Sequence, residues 1–227
     1  MKTLVEIEKE ISLFCEKYNF IESRKNNTNI FILKGYINLK DPENGYCFDS
    51  FYVAYYLDLE RYYNAKNEKF SYPEKLPKIV LLNHLELKTE DFHINSKTGV
   101  CCLAPEVECC CILGKDYNLF DFTEKLVVSF FATLFYKTEM GEWPYGDYAH
   151  YEEGLLEYYS LKLGVQKNFV VAGLEILVGH NKIGRNEVCF CNSGKKYKKC
   201  HRDVIEGIQR KVNKRYLEND LKVLLGK

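Results

Sequence analysis

The chain has 227 residues, with 32 Lys+Arg balanced by 32 Asp+Glu, 46% hydrophobic residues and 15% aromatic residues. That is enough apolar material for one substantial domain with an appendage, or for two small domains. No apolar run approaches the roughly twenty residues that span a bilayer, and the charged-apolar alternation from Met1 to Glu8 lacks a signal-peptide core, so a soluble cytoplasmic protein is expected.

Leu4, Ile7, Ile11 and Phe14/Cys15 recur at helical spacing and predict an opening amphipathic helix. Residues 29–39 read as a strand, and Asp41-Pro42-Glu43-Asn44-Gly45 as a turn. A second, aromatic-rich strand is predicted over 48–59 and a third around Lys78-Ile79-Val80-Leu81-Leu82. After a polar turn comes Cys101-Cys102, and soon after it Cys109-Cys110-Cys111, for which strand alternation is expected, with Cys109 and Cys111 on one face and Cys110 on the other. Asp121 with Glu124 predicts a capping box opening a helix that ends before Gly141. Trp143-Pro144-Tyr145-Gly146 reads as an ordered loop, residues 152–163 as a helix stopped by Gly164, and Phe169 to Leu174 as a short apolar segment. Val204, Ile208, Val212 and Tyr216, each four apart, predict one final amphipathic helix.

Ten cysteines in a reducing compartment favour metal binding or thiol chemistry over a disulfide framework. Cys15 and Cys47 read as ordinary small core residues. Helix, meander, Tyr72-Pro73-Glu74-Lys75-Leu76-Pro77-Lys78-Ile79-Val80, His93-Ile94-Asn95 and Gly99-Val100-Cys101-Cys102-Leu103 follow one another in an order that resembles the ubiquitin-conjugating (UBC) fold. The resemblance covers roughly residues 1–164. It implies an acyltransferase in which Cys102 carries a protein C-terminus as a thioester and passes it to an amine. Cys101 then fills the apolar slot before the nucleophile. A nucleophile at Cys101 would require a one-residue deletion relative to the family. Asn95 would donate to the developing oxyanion, and His93 would hold the loop. Ile94 stands where the family has proline, and the His-to-Cys spacing is one residue shorter, as in a divergent bacterial branch. Gly141-Glu142-Trp143-Pro144-Tyr145-Gly146 resembles a segment of such bacterial proteins, some of which attach a cGAS-like nucleotidyltransferase to a target in antiphage defence. The family also includes inactive members that bind partners without transferring anything. A thiol hydrolase is the third reading, disfavoured because no second histidine-plus-acid pair sits at an evident place, with His150 as the remaining candidate. The thiols at 109–111 are expected to pack a strand, or else to relay to or protect Cys102.

The tail differs in charge and chemistry. Residues 182–227 carry 13 Lys+Arg against 5 Asp+Glu, a net charge of +8, which leaves −8 for the remainder. Cys189-Phe190-Cys191 followed by Cys200-His201 has zinc-site spacing. Residues 183–201 closely resemble the SEC-C motif, a small zinc module of the bacterial preprotein-translocase motor, with Asn192 at a usual glycine and Val188 and Phe190 at usual prolines. The resemblance implies Cys189, Cys191, Cys200 and His201 as ligands of a structural Zn²⁺ that supplies the segment's folding energy. Four lysines between Lys195 and Lys199 form a basic knob suited to a protein or nucleic-acid partner.

The expected architecture is α+β: a UBC-like helix and antiparallel meander followed by helices over 1–164, a linker over 165–181, and a SEC-C-like zinc module with a C-terminal helix over 182–227. The expected partners are a protein acyl donor (a ubiquitin-like protein or the C-terminus of a cGAS-like nucleotidyltransferase) and a protein acceptor. Composition argues against nucleic acid as a partner of the whole chain. The sequence has no Gly-rich nucleotide loop, so an activating enzyme or an already activated donor must come from elsewhere.

Overall fold

The computed structural model describes all residues except 1, 26–27, 60–62, 65–68, 71–75, 115, 146–148, 150 and 227. Its helices are α1 (Leu4–Tyr18), α2 (Glu106–Leu113), α3 (Leu119–Phe122), α4 (Val128–Met140), α5 (Tyr151–Leu163), α6 (Val170–Leu177), α7 (Arg202–Lys211) and α8 (Lys214–Leu224). Its strands are β1 (Ile21–Arg24), β2 (Ile30–Lys40), β3 (Cys47–Asp58), β4 (Tyr63–Asn64), β5 (Lys69–Phe70) and β6 (Lys78–Leu81). They divide into two compact units, one of residues 1–104 with 116–145, the other of 105–115 with 146–227. This grouping differs from the expected spans, because α2, α5 and α6 belong with the C-terminal module. Among the described residues, no helix is long and apolar enough to cross a membrane.

The first unit is a helix-on-sheet structure. Thr3 and Glu6 close a reciprocal capping box on α1, and Asn19 ends the helix in the left-handed region. Its stripe of Ile7, Ile11 and Phe14 is fully buried. Strands β1-β2-β3-β6 form an antiparallel meander. Opposed pairs such as Tyr36↔Tyr52 and Ile37↔Phe51 fix the β2–β3 register. Every second residue of β2, from Phe31 to Leu39, faces the core, including Gly35, where a Cβ would lie 2.3 Å from the Phe20 ring. β1 is exposed throughout, so it carries no alternation and the sequence did not reveal it.

The long helical stretch begins at Leu119, capped by Asn118, whose side chain accepts from the Asp121 N–H. This replaces the capping box expected at Asp121, a residue already inside the first turn. A π turn over Thr123–Val127 joins α3 to α4. It coincides with a buried contact between the Thr123 and Tyr55 hydroxyls, 3.0 Å apart.

The second unit is helical around one apolar core shared by α2, α5, α6, α7, α8 and the cysteine-rich loop. Residues 109–111 lie in α2 and not in a strand. Pro105 opens that helix, acidic residues occupy its first turn and Gly114 stops it. The short apolar run resembles a buried strand, but these end signals decide for a helix. Segment 165–181, expected as a linker, contains α6, whose Val170, Leu174 and Leu177 are buried. The expected final helix is two helices. Val212 turns extended, and Asn213 caps α8 by accepting from the Arg215 N–H.

Candidate metal centre and thiol site

The cysteine-rich loop of the second unit is shaped by its backbone. The Cys189 N–H donates to Lys195 O and the Asn192 N–H to Cys189 O, while Val188 bridges Lys196. Asn192 (φ 58°) and Gly194 (φ 73°) take the left-handed conformations that this turn requires. The turn gathers Cys189, Cys191, Cys200 and His201 so that their ligand atoms all lie within 4.8 Å of one another. His201 Nδ1 is 3.2 Å from both Cys189 Sγ and Cys200 Sγ, and Cys191 Sγ is 3.6 Å from Cys200 Sγ. A tetrahedral ion with metal–sulfur bonds of about 2.3 Å and metal–nitrogen bonds of about 2.0 Å sets sulfur–sulfur pairs about 3.8 Å apart and sulfur–nitrogen pairs about 3.5 Å apart, so the donor types fit and the ligand atoms need shift only slightly to enclose such an ion. Ser193 Oγ lies 3.2 Å from Cys191 Sγ and 3.4 Å from Cys200 Sγ, a hydroxyl placed to donate to thiolates. Burial pushes the Cys189 thiol up to about 11. At Cys191 burial also pushes upward, but hydrogen bonds with Ser193, Cys200 and Cys189 together outweigh it and the thiol sits below its ordinary value.

The loop does not stand alone. Phe190 packs on His201, with ring centroids 5.0 Å apart, and a Cβ at Gly173 of α6 would lie 3.1 Å from the Phe190 ring. Cys189, Tyr197, Ile205 and Ile208 share one core with Tyr159, Leu163, Val170 and Leu174. The expectation that an ion must supply all of this segment's folding energy is therefore corrected, because α5 and α6 bury its apolar side chains. Gly173 was the overlooked signal: a glycine in an apolar helix marks a close approach.

The family model of the SEC-C motif matches residues 185–203. The chain carries a SEC-C motif. Protein translocase subunit SecA of Borreliella afzelii (strain PKo) is 49% identical over 37 residues, which are 16% of this chain and 4% of that protein. SecA of Koribacter versatilis (strain Ellin345) is 63% identical over 27 residues, 12% of this chain and 3% of that protein. The chain thus spans only a few per cent of the length of the curated relatives it matches. No solved structure matches the chain. SEC-C is a zinc-binding motif, and the Cys₃His cluster lies within its matched residues.

The thiol site belongs to the first unit. Residues 99–101 add to the edge of the sheet: the Leu81 N–H donates to Gly99 O, the Cys101 N–H to Ile79 O, and Val100 bridges Val80. Gly99 has φ +69°, and a Cβ there would lie 2.8 Å from Leu81 O. Alternation then sends Cys101 inward and Cys102 outward. Cys101 is buried, and burial pushes its thiol up to about 12. Cys102 is exposed, and its N–H donates to His93 O at 2.8 Å.

The side chain of Asn95 organises its own turn. Oδ1 accepts from the Lys97 and Thr98 N–H groups and the Thr98 hydroxyl, at 2.9–3.1 Å. His93 adopts φ 54° and faces Trp143, with ring centroids 5.1 Å apart. Cys109 and Cys110 are buried in the second unit, and burial pushes the Cys110 thiol up to about 12, so helix packing accounts for them. Tyr72-Pro73-Glu74-Lys75 and His150 lie outside the described residues.

Proposed function

We propose that the chain is a conjugating enzyme of the ubiquitin type, in which Cys102 carries a protein C-terminus as a thioester and transfers it to an amine. The observation that carries this reading is the contrast between adjacent thiols, Cys101 buried with a raised pKa and Cys102 exposed at the end of the sheet. The order of elements supports it as well: an N-terminal helix, an antiparallel meander, the His93–Asn95 turn, then the exposed cysteine.

The Cys102 thiolate attacks an activated carboxyl; an S–C bond forms and the activating group leaves. An amine then attacks the thioester, a C–N bond forms, the thiolate departs and the amine proton passes to solvent. Asn95 Oδ1 is committed to its turn, leaving Nδ2 as the donor end for the oxyanion. The donor is a ubiquitin-like protein, or the C-terminus of a cGAS-like nucleotidyltransferase in antiphage defence. The acceptor is a protein lysine, and activation is supplied by another enzyme or by a pre-activated donor. The SEC-C cluster holds a structural Zn²⁺ through Cys189, Cys191, Cys200 and His201, and the exposed Lys195, Lys196 and Lys199 around it recruit a protein partner.

The test is to mix the full chain with candidate activated donors and follow a reductant-sensitive adduct. It should form in wild type and Cys101→Ala and vanish in Cys102→Ala. The closed four-ligand centre and its basic surface favour one second reading, a UBC-like adaptor without transferase activity. Partner binding unchanged by Cys102→Ala, with no adduct from any donor, would select it. Elemental analysis should find one zinc per chain.

A further inference from the structure

Trp143 is the chain's single tryptophan. It follows Gly141, the left-handed cap of α4, and is half-buried. Its Nε1 donates to Asp91 O at 3.2 Å while its ring stands against His93. Lys137 ties the same two segments together, with Nζ 3.4 Å from Asp91 Oδ1 and 3.1 Å from Gly141 O. His93 is a non-glycine residue in the left-handed region, a conformation that persists where neighbours hold it. The carbonyl of that same residue accepts the N–H of Cys102, and Ile94 bridges Cys101.

We propose that Trp143 is a positioning residue for Cys102, acting through the Asp91–Ile94 turn. Removing the indole releases the Asp91 carbonyl and the His93 ring together, and with them the carbonyl that anchors the Cys102 backbone. A tryptophan that merely completed the core would bury its ring in the sheet–helix interface. This one directs its only hydrogen-bond donor into the turn beside the thiol. The consequence for transfer rests on the reading of Cys102 as the acyl carrier, whereas the placement of the thiol does not.

The experiment compares full-length wild type, Trp143→Phe and Trp143→Ala. The first measurement is the rate of Cys102 alkylation by iodoacetamide against pH, read by peptide mass spectrometry, with thermal melting recorded in parallel. Trp143→Ala should move the midpoint of that profile by about half a pH unit or more, and Trp143→Phe, which keeps a ring over His93 but loses the bond to Asp91 O, should fall between Trp143→Ala and wild type. The second measurement is adduct formation, expected to fall about tenfold in Trp143→Ala. Superimposable alkylation profiles in all three proteins would overturn the proposal, whatever the adduct does. A shifted profile with no adduct in wild type would uphold the placement and remove the acyl-carrier reading. Should the alanine variant not fold, His93→Ala removes the stacked ring, keeps the carbonyl, and carries the same expectation.

Discussion

The two thiol-bearing loops treat sulfur in opposite ways. In the second unit, a turn with two left-handed residues brings three sulfurs and an imidazole nitrogen within one ion's coordination distance. In the first, two adjacent cysteines are separated by the pleat of a strand edge, one inside and one outside. Spacing in sequence is the same kind of signal in both. What differs is the backbone, which in a tight turn makes near neighbours converge and in an extended segment makes them diverge. Convergence suits holding an ion; divergence leaves one thiol accessible for chemistry.

The sharpest way to break this contrast is to remove the ion. Isolated zinc-finger peptides draw about 10–16 kcal/mol from metal binding. Here the loop also shares a core with α5 and α6, so the loss should be smaller and local. Cys189→Ser or chelation should abolish metal binding and expose residues 183–201 to hydrogen exchange. Exchange protection in α5 and α6 should persist, and so should alkylation of Cys102. Collapse of α5 and α6 on chelation would show that the shared core is insufficient.

Two glycines allow each unit to be weakened separately. Gly99→Ala forces a Cβ onto Leu81 O at a positive φ, at a cost of roughly 1–3 kcal/mol in the first unit. Gly173→Ala meets Leu163 at 2.7 Å and Phe190 at 3.1 Å, an overpacking cost of about 1–3 kcal/mol in the second. Only the first should slow alkylation of Cys102, and only the second should weaken metal retention.

The sequence made the metal loop legible because its ligands lie within thirteen residues and the local turn alone assembles them. The three long strands and α1 were legible through periodicity. Trp143 on His93 and Phe190 against Gly173 were not, because those contacts join residues 50 and 17 positions apart in sequence. The helix at 109–111 was hidden by a run of identical small apolar residues that carries no period, and the break at Asn213 by an apolar spacing that continues across it. In both cases the cap residues held the missing information.

Asp220 offers a pH test confined to the second unit. Its carboxyl is pushed up to about 6, chiefly by burial, although the Tyr159 hydroxyl bonds it at 2.7 Å and favours the ionised form. The folded state therefore holds the proton more tightly than the unfolded chain. Stability from this group is present below about pH 4 and is lost as pH rises through about 6, a penalty of about 3 kcal/mol at neutrality. Asp220→Asn should flatten that part of the profile in denaturant melts at pH 4.5 and 7. An unchanged difference between the two would place the slope elsewhere.

The smallest expected change sharpens the contrast most. Cys101→Ser puts a hydroxyl where the thiol sits buried near the Gly99 carbonyl, at 3.8 Å, and should cost about 1–2 kcal/mol. Cys102→Ser exchanges one exposed group for another and should stay within about 0.5 kcal/mol of wild type. The reductant-sensitive adduct should follow the reverse order, lost in Cys102→Ser, whose hydroxyl can form only a reductant-resistant ester, and retained in Cys101→Ser below the melting transition. A residue that contributes almost nothing to stability and everything to transfer is what a nucleophile at the end of a strand edge requires. If instead both serine variants cost the same in stability, the outward orientation of Cys102 is wrong and the proposed chemistry loses its foothold.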